Sequence, residues 1–173
     1  MPIATRRTRI IRTAVLSLLP ILAGCAGGEE VTVQSIGQAR RLWDRAQIRD
    51  YDLEWTSSGL NHGHYRVAVR GGQVRSIESI QPDGRGVTVD PAEPRYYGVE
   101  GLFTTIKDEL AQLQMPEPFG QAKGNKVMMR FTPDPKLGFP RRYRRDVLGT
   151  PQALAIDVIR FVPDPRARSA PSS

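Results

Sequence analysis

Apolar residues at Ile36, Ala39, Leu42, Trp43 and Ala46 recur every three or four positions, the period of a helix with one buried face. Ser35 stands ahead of them as a candidate N-cap with Gln38 three residues on, and the pattern runs out near Arg49. The period then drops to two. Tyr51, Leu53 and Trp55 alternate with Asp52 and Glu54, as in a strand with one face on a core. From His64 to Ser79 the pattern predicts a hairpin, with Tyr65, Val67 and Val69 on one face and Gly71-Gly72 supplying the positive backbone angles of a tight turn. Alternation slips between Val74 and Ile77, where a β-bulge is expected.

A turn-rich passage from Pro82 to Pro94 leads to a second amphipathic stripe of Val99, Leu102, Phe103, Ile106, Leu110 and Leu113, stopped by Pro116 and Pro118. Three strands are expected after it. One carries Val127, Met129 and Phe131 on a single face, the next is the polar run Arg141–Val147, and the last spans Leu154–Val162, with a turn from Pro133 to Pro140 between the first two. The elements read helix, three strands, helix, three strands, which hints at an internal duplication. The expected fold is α+β: a single domain over residues 35–162, an antiparallel sheet with two helices packed on one face. The opposite sheet face would be left for a partner. Residues 163–173, rich in Pro, Ser and Arg, are expected to form a disordered tail.

Residues 1–24 do not belong to that fold. Arg6, Arg7, Arg9 and Arg12 form a basic start, and the apolar run Thr13–Leu22 is shorter than the ~20 residues a membrane span needs. Leu22, Ala23 and Gly24 then precede Cys25, the only cysteine of the chain. An aliphatic residue, two small ones and a cysteine after such a stretch make a lipobox. Residues 1–24 therefore read as a lipoprotein signal peptide, with Cys25 as the site of diacylglycerol attachment and residues 25–34 as a polar spacer. The pair Arg6-Arg7 also invites a twin-arginine reading, but Arg9 stands where that motif wants apolar residues, so an ordinary basic start is preferred. The protein is expected to be exported and lipid-anchored to the cell membrane or outer membrane, facing periplasm or exterior. Ala26 is not the aspartate that retains some lipoproteins in the inner membrane, so outer-membrane sorting is expected where there are two membranes.

Removal of the signal changes the charge picture. Four of the 25 basic residues go with it, leaving 21 against 18 acidic ones and lowering the formal net charge from +7 to +3. A basic pI thus gives no ground for nucleic-acid binding. With Cys25 acylated no thiol remains, and the domain depends on its core rather than on a disulfide.

Chemistry-bearing residues are few. His62 and His64 flank Gly63 at a strand-to-strand turn, too few ligands for a zinc site unless Asp52 or Glu54 joins them, and no metal is expected. Asp50, Asp52 and Glu54 recur at period two, the mark of a wet strand face more than of a carboxylate pair at work. Arg141, Arg142, Arg144 and Arg145 form the densest charge cluster, with Lys136 nearby, and guanidinium groups grip phosphate and carboxylate. They are candidate contacts for an anionic envelope polymer or a protein partner, set against the simpler role of charge that protects an edge strand. No hydrolase, zinc-protease, P-loop or dinucleotide signature occurs, and no cofactor is expected.

Four stretches, "ARRLWDRAQIRDYDLEW", "YRVAVRGGQVRSIES", "VEGLFTTIKDEL" and "RFTPDPKLGFPRRYRRD", resemble in that order a bacterial lipoprotein family, domain of unknown function 6174. The resemblance spans about Ala39 to Phe161 and is most specific at Trp43 with Tyr51, around Gly72, at Gly101-Leu102-Phe103 and from Asp134 to Pro140. It implies a small exported, often lipidated domain and no activity. Where many members carry a cysteine pair after the first strand, this chain has Ser57, Ser58 and Gly59, so no disulfide or metal role carries over. A fainter similarity to PepSY-like domains implies an inhibitory or binding module. The expectation is a lipid-anchored extracytoplasmic binding or structural module, non-enzymatic. The alternatives are a periplasmic inhibitor of an envelope enzyme and a small metal-dependent hydrolase using His62 and His64.

Overall fold

The computed structural model describes residues 28–59, 62–121 and 124–164. The signal region, the lipobox with Cys25, and residues 165–173 of the expected tail lie outside the described residues. Eight strands are seen: β1 (Glu29–Glu30), β2 (Tyr51–Gly59), β3 (Gly63–Arg70), β4 (Gln73–Ile80), β5 (Gly86–Thr88), β6 (Val127–Pro133), β7 (Pro140–Val147) and β8 (Ala153–Pro163). Two helices, α1 (Val33–Ala46) and α2 (Val99–Gln112), accompany them, with a 3₁₀ turn at Pro94–Tyr97 leading into α2. The strands form one antiparallel sheet in the order β1-β6-β7-β8-β2-β3-β4-β5, so the fold is α+β. Two consecutive meanders, β2-β3-β4 and β6-β7-β8, meet where β8 pairs with β2.

Register follows the hydrophobic alternation. Leu53 lies opposite Val67 and Val67 opposite Ile77, while Phe131 lies opposite Tyr143 and Tyr143 opposite Ile156. The expected bulge is present: Ala68 faces Ser76 and Val69 faces Val74, so Arg75 is the extra residue. A second bulge, which the alternation did not signal, leaves Ile159 unpaired between Arg160 opposite Glu54 and Val158 opposite Trp55.

Five sequence expectations need correction. Pro163 does not open a disordered tail: it ends β8 opposite Tyr51, and the Asp164 N–H donates to the Asp50 carbonyl at 2.8 Å. The spacer is shorter than residues 25–34, because Glu29 and Glu30 pair with Phe131 and Arg130 on β6. The N-cap of α1 is Thr32, not Ser35: the Thr32 side chain accepts from the Ser35 N–H at 3.0 Å and Ser35 Oγ accepts from the Thr32 N–H at 2.9 Å. Val31 and Ile36, on either side of this capping box, are buried in one cluster, the pairing of a hydrophobic staple. The helix also ends earlier, at Ala46, where Gln47 turns to φ 51°. Finally, the polar run is not at an edge. Strand β7 lies between β6 and β8, so its arginines cannot serve as edge protection.

Helical and sheet side chains share one core. Trp43 of α1 meets Tyr51 and Phe161 edge-on at 5.7 and 5.8 Å between centroids, and Phe139 stacks on Phe161 at 4.5 Å. From α2, Leu102, Phe103 and Ile106 are buried in the same cluster. Glu100 ties the helices together, accepting from Trp43 Nε1 at 2.9 Å and from Arg40 at 2.6 Å.

The first turn of α2 is held by the sheet. Gly98 offers no side-chain cap, and the Val99 N–H donates instead to the Tyr51 hydroxyl at 2.9 Å. Burial pushes the Tyr51 phenol up to about 12. A phenol raised on folding contributes stability that is intact below the unfolded pKa of about 10 and is lost as pH rises above it. Urea unfolding is therefore expected to show stability falling from pH ~10 towards ~12. Tyr51→Phe should make that fall shallower while costing about 1–3 kcal/mol at pH 7, because the Val99 N–H loses its acceptor. An unchanged pH profile in the variant would contradict this assignment.

Candidate functional site

Strand alternation puts Asp52, Glu54, Arg66, Glu78, Arg144 and Asp157 on the face away from Tyr51, Leu53 and Trp55. These charges are matched with one another. Asp52 pairs with Arg70 at 2.8 Å, Glu54 lies 2.8 Å from His64 and 3.8 Å from Arg66, and Arg66 reaches Glu78 at 3.0 Å. A depression of about 180 Å³, lined by Ala68 and Ser76 among these charges, interrupts this mosaic. Such partly exposed pairs hold the face in order and contribute little stability each.

The four arginines of the polar strand divide. Arg144 Nη2 donates to both oxygens of Asp157 at 2.8 and 2.6 Å, and Arg142 Nε donates to Oδ1 at 3.1 Å. Arg145 faces the other way, is 4 % exposed and binds Glu109, so it is withdrawn from any surface. Arg141 is exposed, and among the described residues neither it nor the exposed Arg130 and Arg160 forms an ion pair.

The two histidines are also parted. His64 points at Glu54 on the charged face, whereas His62 lines a cleft with Trp55 and Tyr65 on the other. Among the described residues no group of three or more His, Cys, Asp or Glu could hold a metal ion.

That cleft is the feature best suited to hold a ligand. It encloses about 570 Å³ between the ends of β2, β3 and β8 and the 3₁₀ turn before α2. Trp55 and Tyr65 come from the strands, and Tyr96 and Tyr97 from the turn. The turn is locked to the sheet because Trp55 Nε1 donates to the Tyr97 carbonyl at 3.1 Å. Burial raises the Tyr97 phenol, and the neighbouring Tyr65 phenol adds to the shift. No family model and no curated protein matches this chain. The likeness to domain of unknown function 6174 therefore rests on the sequence pattern alone, and the cleft has to be read from its own chemistry.

A second groove, of about 400 Å³, runs between α1 and α2 along Val33, Ile36 and Leu110. Among the described residues no helix is long and apolar enough to cross a membrane. The sequence reading missed the cleft because its walls come from segments far apart in the chain. The one available signal was the pair Tyr96-Tyr97 directly after the turn-rich passage.

Proposed function

We propose that this protein is a lipid-anchored, non-enzymatic binding module of the cell envelope whose ligand enters the aromatic cleft. The carrying observation is the cleft itself: four aromatic side chains around about 570 Å³, inside the ~300–1,000 Å³ range of small-ligand sites, while the charges of the open sheet face are largely spent on one another. The anchor is supported by Leu22, Ala23, Gly24 and Cys25 after a basic start and an apolar run. The reading includes both helices covering one face of the sheet, supported by the core that Trp43 of α1 and Leu102 of α2 share with Tyr51.

Two measurements test it. Cys25→Ala should move the exported protein from the membrane to the soluble fraction; a variant that stays membrane-bound would refute the anchor. The immobilised protein should retain envelope material, and Thr105→Trp, which fills the cleft from α2, should abolish that retention. An anionic envelope polymer is the second reading, favoured by Arg130 and Arg160, which lie on the charged sheet face and are exposed without an ion-pair partner among the described residues. Loss of retention in Arg130→Glu with Arg160→Glu, but not in Thr105→Trp, would favour it over the cleft.

A further inference from the structure

We propose that the ligand of the aromatic cleft is a neutral saccharide. This rests on the binding-module reading and names its ligand class. The aromatic walls are preorganised. Trp55 and Tyr65 lie 4.9 Å apart between centroids, Trp55 and Tyr97 5.8 Å, and Tyr65 meets Tyr97 edge-on at 5.0 Å and 85°. Gly63 makes room for this: a Cβ there would collide with the Tyr65 ring, so only glycine lets the ring lie across its own strand. Rings fixed in this way offer contact area without an ordering cost on binding.

Polar groups at the walls narrow the chemistry. Ser57, Thr105 and His62 line the cleft, and all three can donate or accept. Among the described residues no Lys, Arg, Asp or Glu lines it, although the chain carries 25 basic and 18 acidic residues. Arg95, whose guanidinium lies 5.3 Å from the centre of the Tyr96 ring, is already engaged by Glu93 at 3.0 Å, so the lining offers a charged ligand no unpaired partner among the described residues. A proline-rich peptide is the main competitor for aromatic walls; proline lacks an N–H, so such a segment asks only for donors to its carbonyls. The Trp55 N–H is already given to the Tyr97 carbonyl, so donors for such carbonyls are left to Ser57, Thr105 and His62, which a hydroxylated ligand uses in both roles. A pyranose ring fits what remains. Its C–H face lies against an aromatic ring while its hydroxyls take either role towards Ser57, Thr105 and His62.

The test is calorimetric titration of the exported protein, in a detergent without a sugar headgroup, with four probes: a β-1,4-linked N-acetylglucosamine tetramer, an α-1,4-linked glucose tetramer, a polyproline peptide and inorganic polyphosphate. Saturable binding of at least one tetramer is expected, weakened roughly tenfold by Tyr96→Ala and His62→Ala and abolished by Thr105→Trp, with circular dichroism confirming that each variant is folded. Failure of both tetramers to bind, or tetramer binding that none of these variants weakens, overturns the proposal, and so does preference for polyproline or polyphosphate. If neither tetramer binds while Thr105→Trp still abolishes retention of envelope material, the saccharide assignment fails and the binding-module reading stands.

Discussion

Glu109→Ala is expected to destabilise the domain by about 3–5 kcal/mol, the cost of stranding a buried charge. Arg145 is 4 % exposed, and its Nε donates to Glu109 Oε2 at 3.0 Å. The Tyr143 hydroxyl donates to the same oxygen at 2.6 Å, and the Arg145 guanidinium lies 4.3 Å from the centre of the Phe119 ring. Burial raises the Tyr143 phenol first, and the neighbouring Glu109 charge raises it further. Removing the carboxylate leaves a guanidinium and a hydroxyl enclosed between β7 and α2 with most of their satisfaction gone. Replacing the whole set by Glu109→Leu, Arg145→Met and Tyr143→Phe should recover most of the loss, since well-packed apolar side chains often equal or exceed a buried ion pair. Urea titration of the single and triple variants measures both effects. A single-variant loss under about 1 kcal/mol would show that water reaches Arg145 freely.

This network shows where sequence reading stops. Alternation correctly puts Arg141, Tyr143 and Arg145 on one face of a strand, but nothing local says that this face is the buried one. The deciding residue is Glu109, 36 positions earlier, on a helix where it reads as one more outward charge. The strands with long alternating runs, such as Tyr51–Trp55 and Tyr65–Val69, were legible because half of each run had to meet the core. Strands β1 and β5 were not, having two and three residues and exposed burial patterns that carry no period. The N-terminus of α1 was misplaced by three residues because Ser35 and Thr32 are equally good caps in isolation, and the buried Val31 decides between them. The cleft was illegible for a related reason. Its tyrosines at positions 96 and 97 belong to a 3₁₀ turn whose position depends on the hydrogen bond from Trp55, a contact between residues 42 apart.

Gly138→Ala should cost about 3 kcal/mol or more from strain and overpacking together. The turn that holds it is tightly specified: the Asp134 carboxylate accepts from the N–H groups of Lys136 and Leu137 at 2.9 and 2.8 Å, and the Gly138 N–H donates to the Asp134 carbonyl at 2.8 Å. Gly138 itself sits at φ +80°, and a Cβ there would land on the Ala39 carbonyl oxygen and on Leu42 Cβ. Helix α1 thus rests directly on the turn that delivers Phe139 to Trp43 and Phe161, and any side chain at this position pushes the helix away from its core. The two contributions can be separated. Asparagine tolerates a positive φ but still carries a Cβ, so Gly138→Asn should be nearly as harmful as alanine. At Gly71, φ is +62° with nothing within 4 Å of the added carbon, so Gly71→Asn should cost under ~1 kcal/mol. Thermal and urea unfolding of the three variants would decide it. Equal tolerance of asparagine at both glycines would mean that backbone angle alone, and not the contact with α1, requires glycine at position 138.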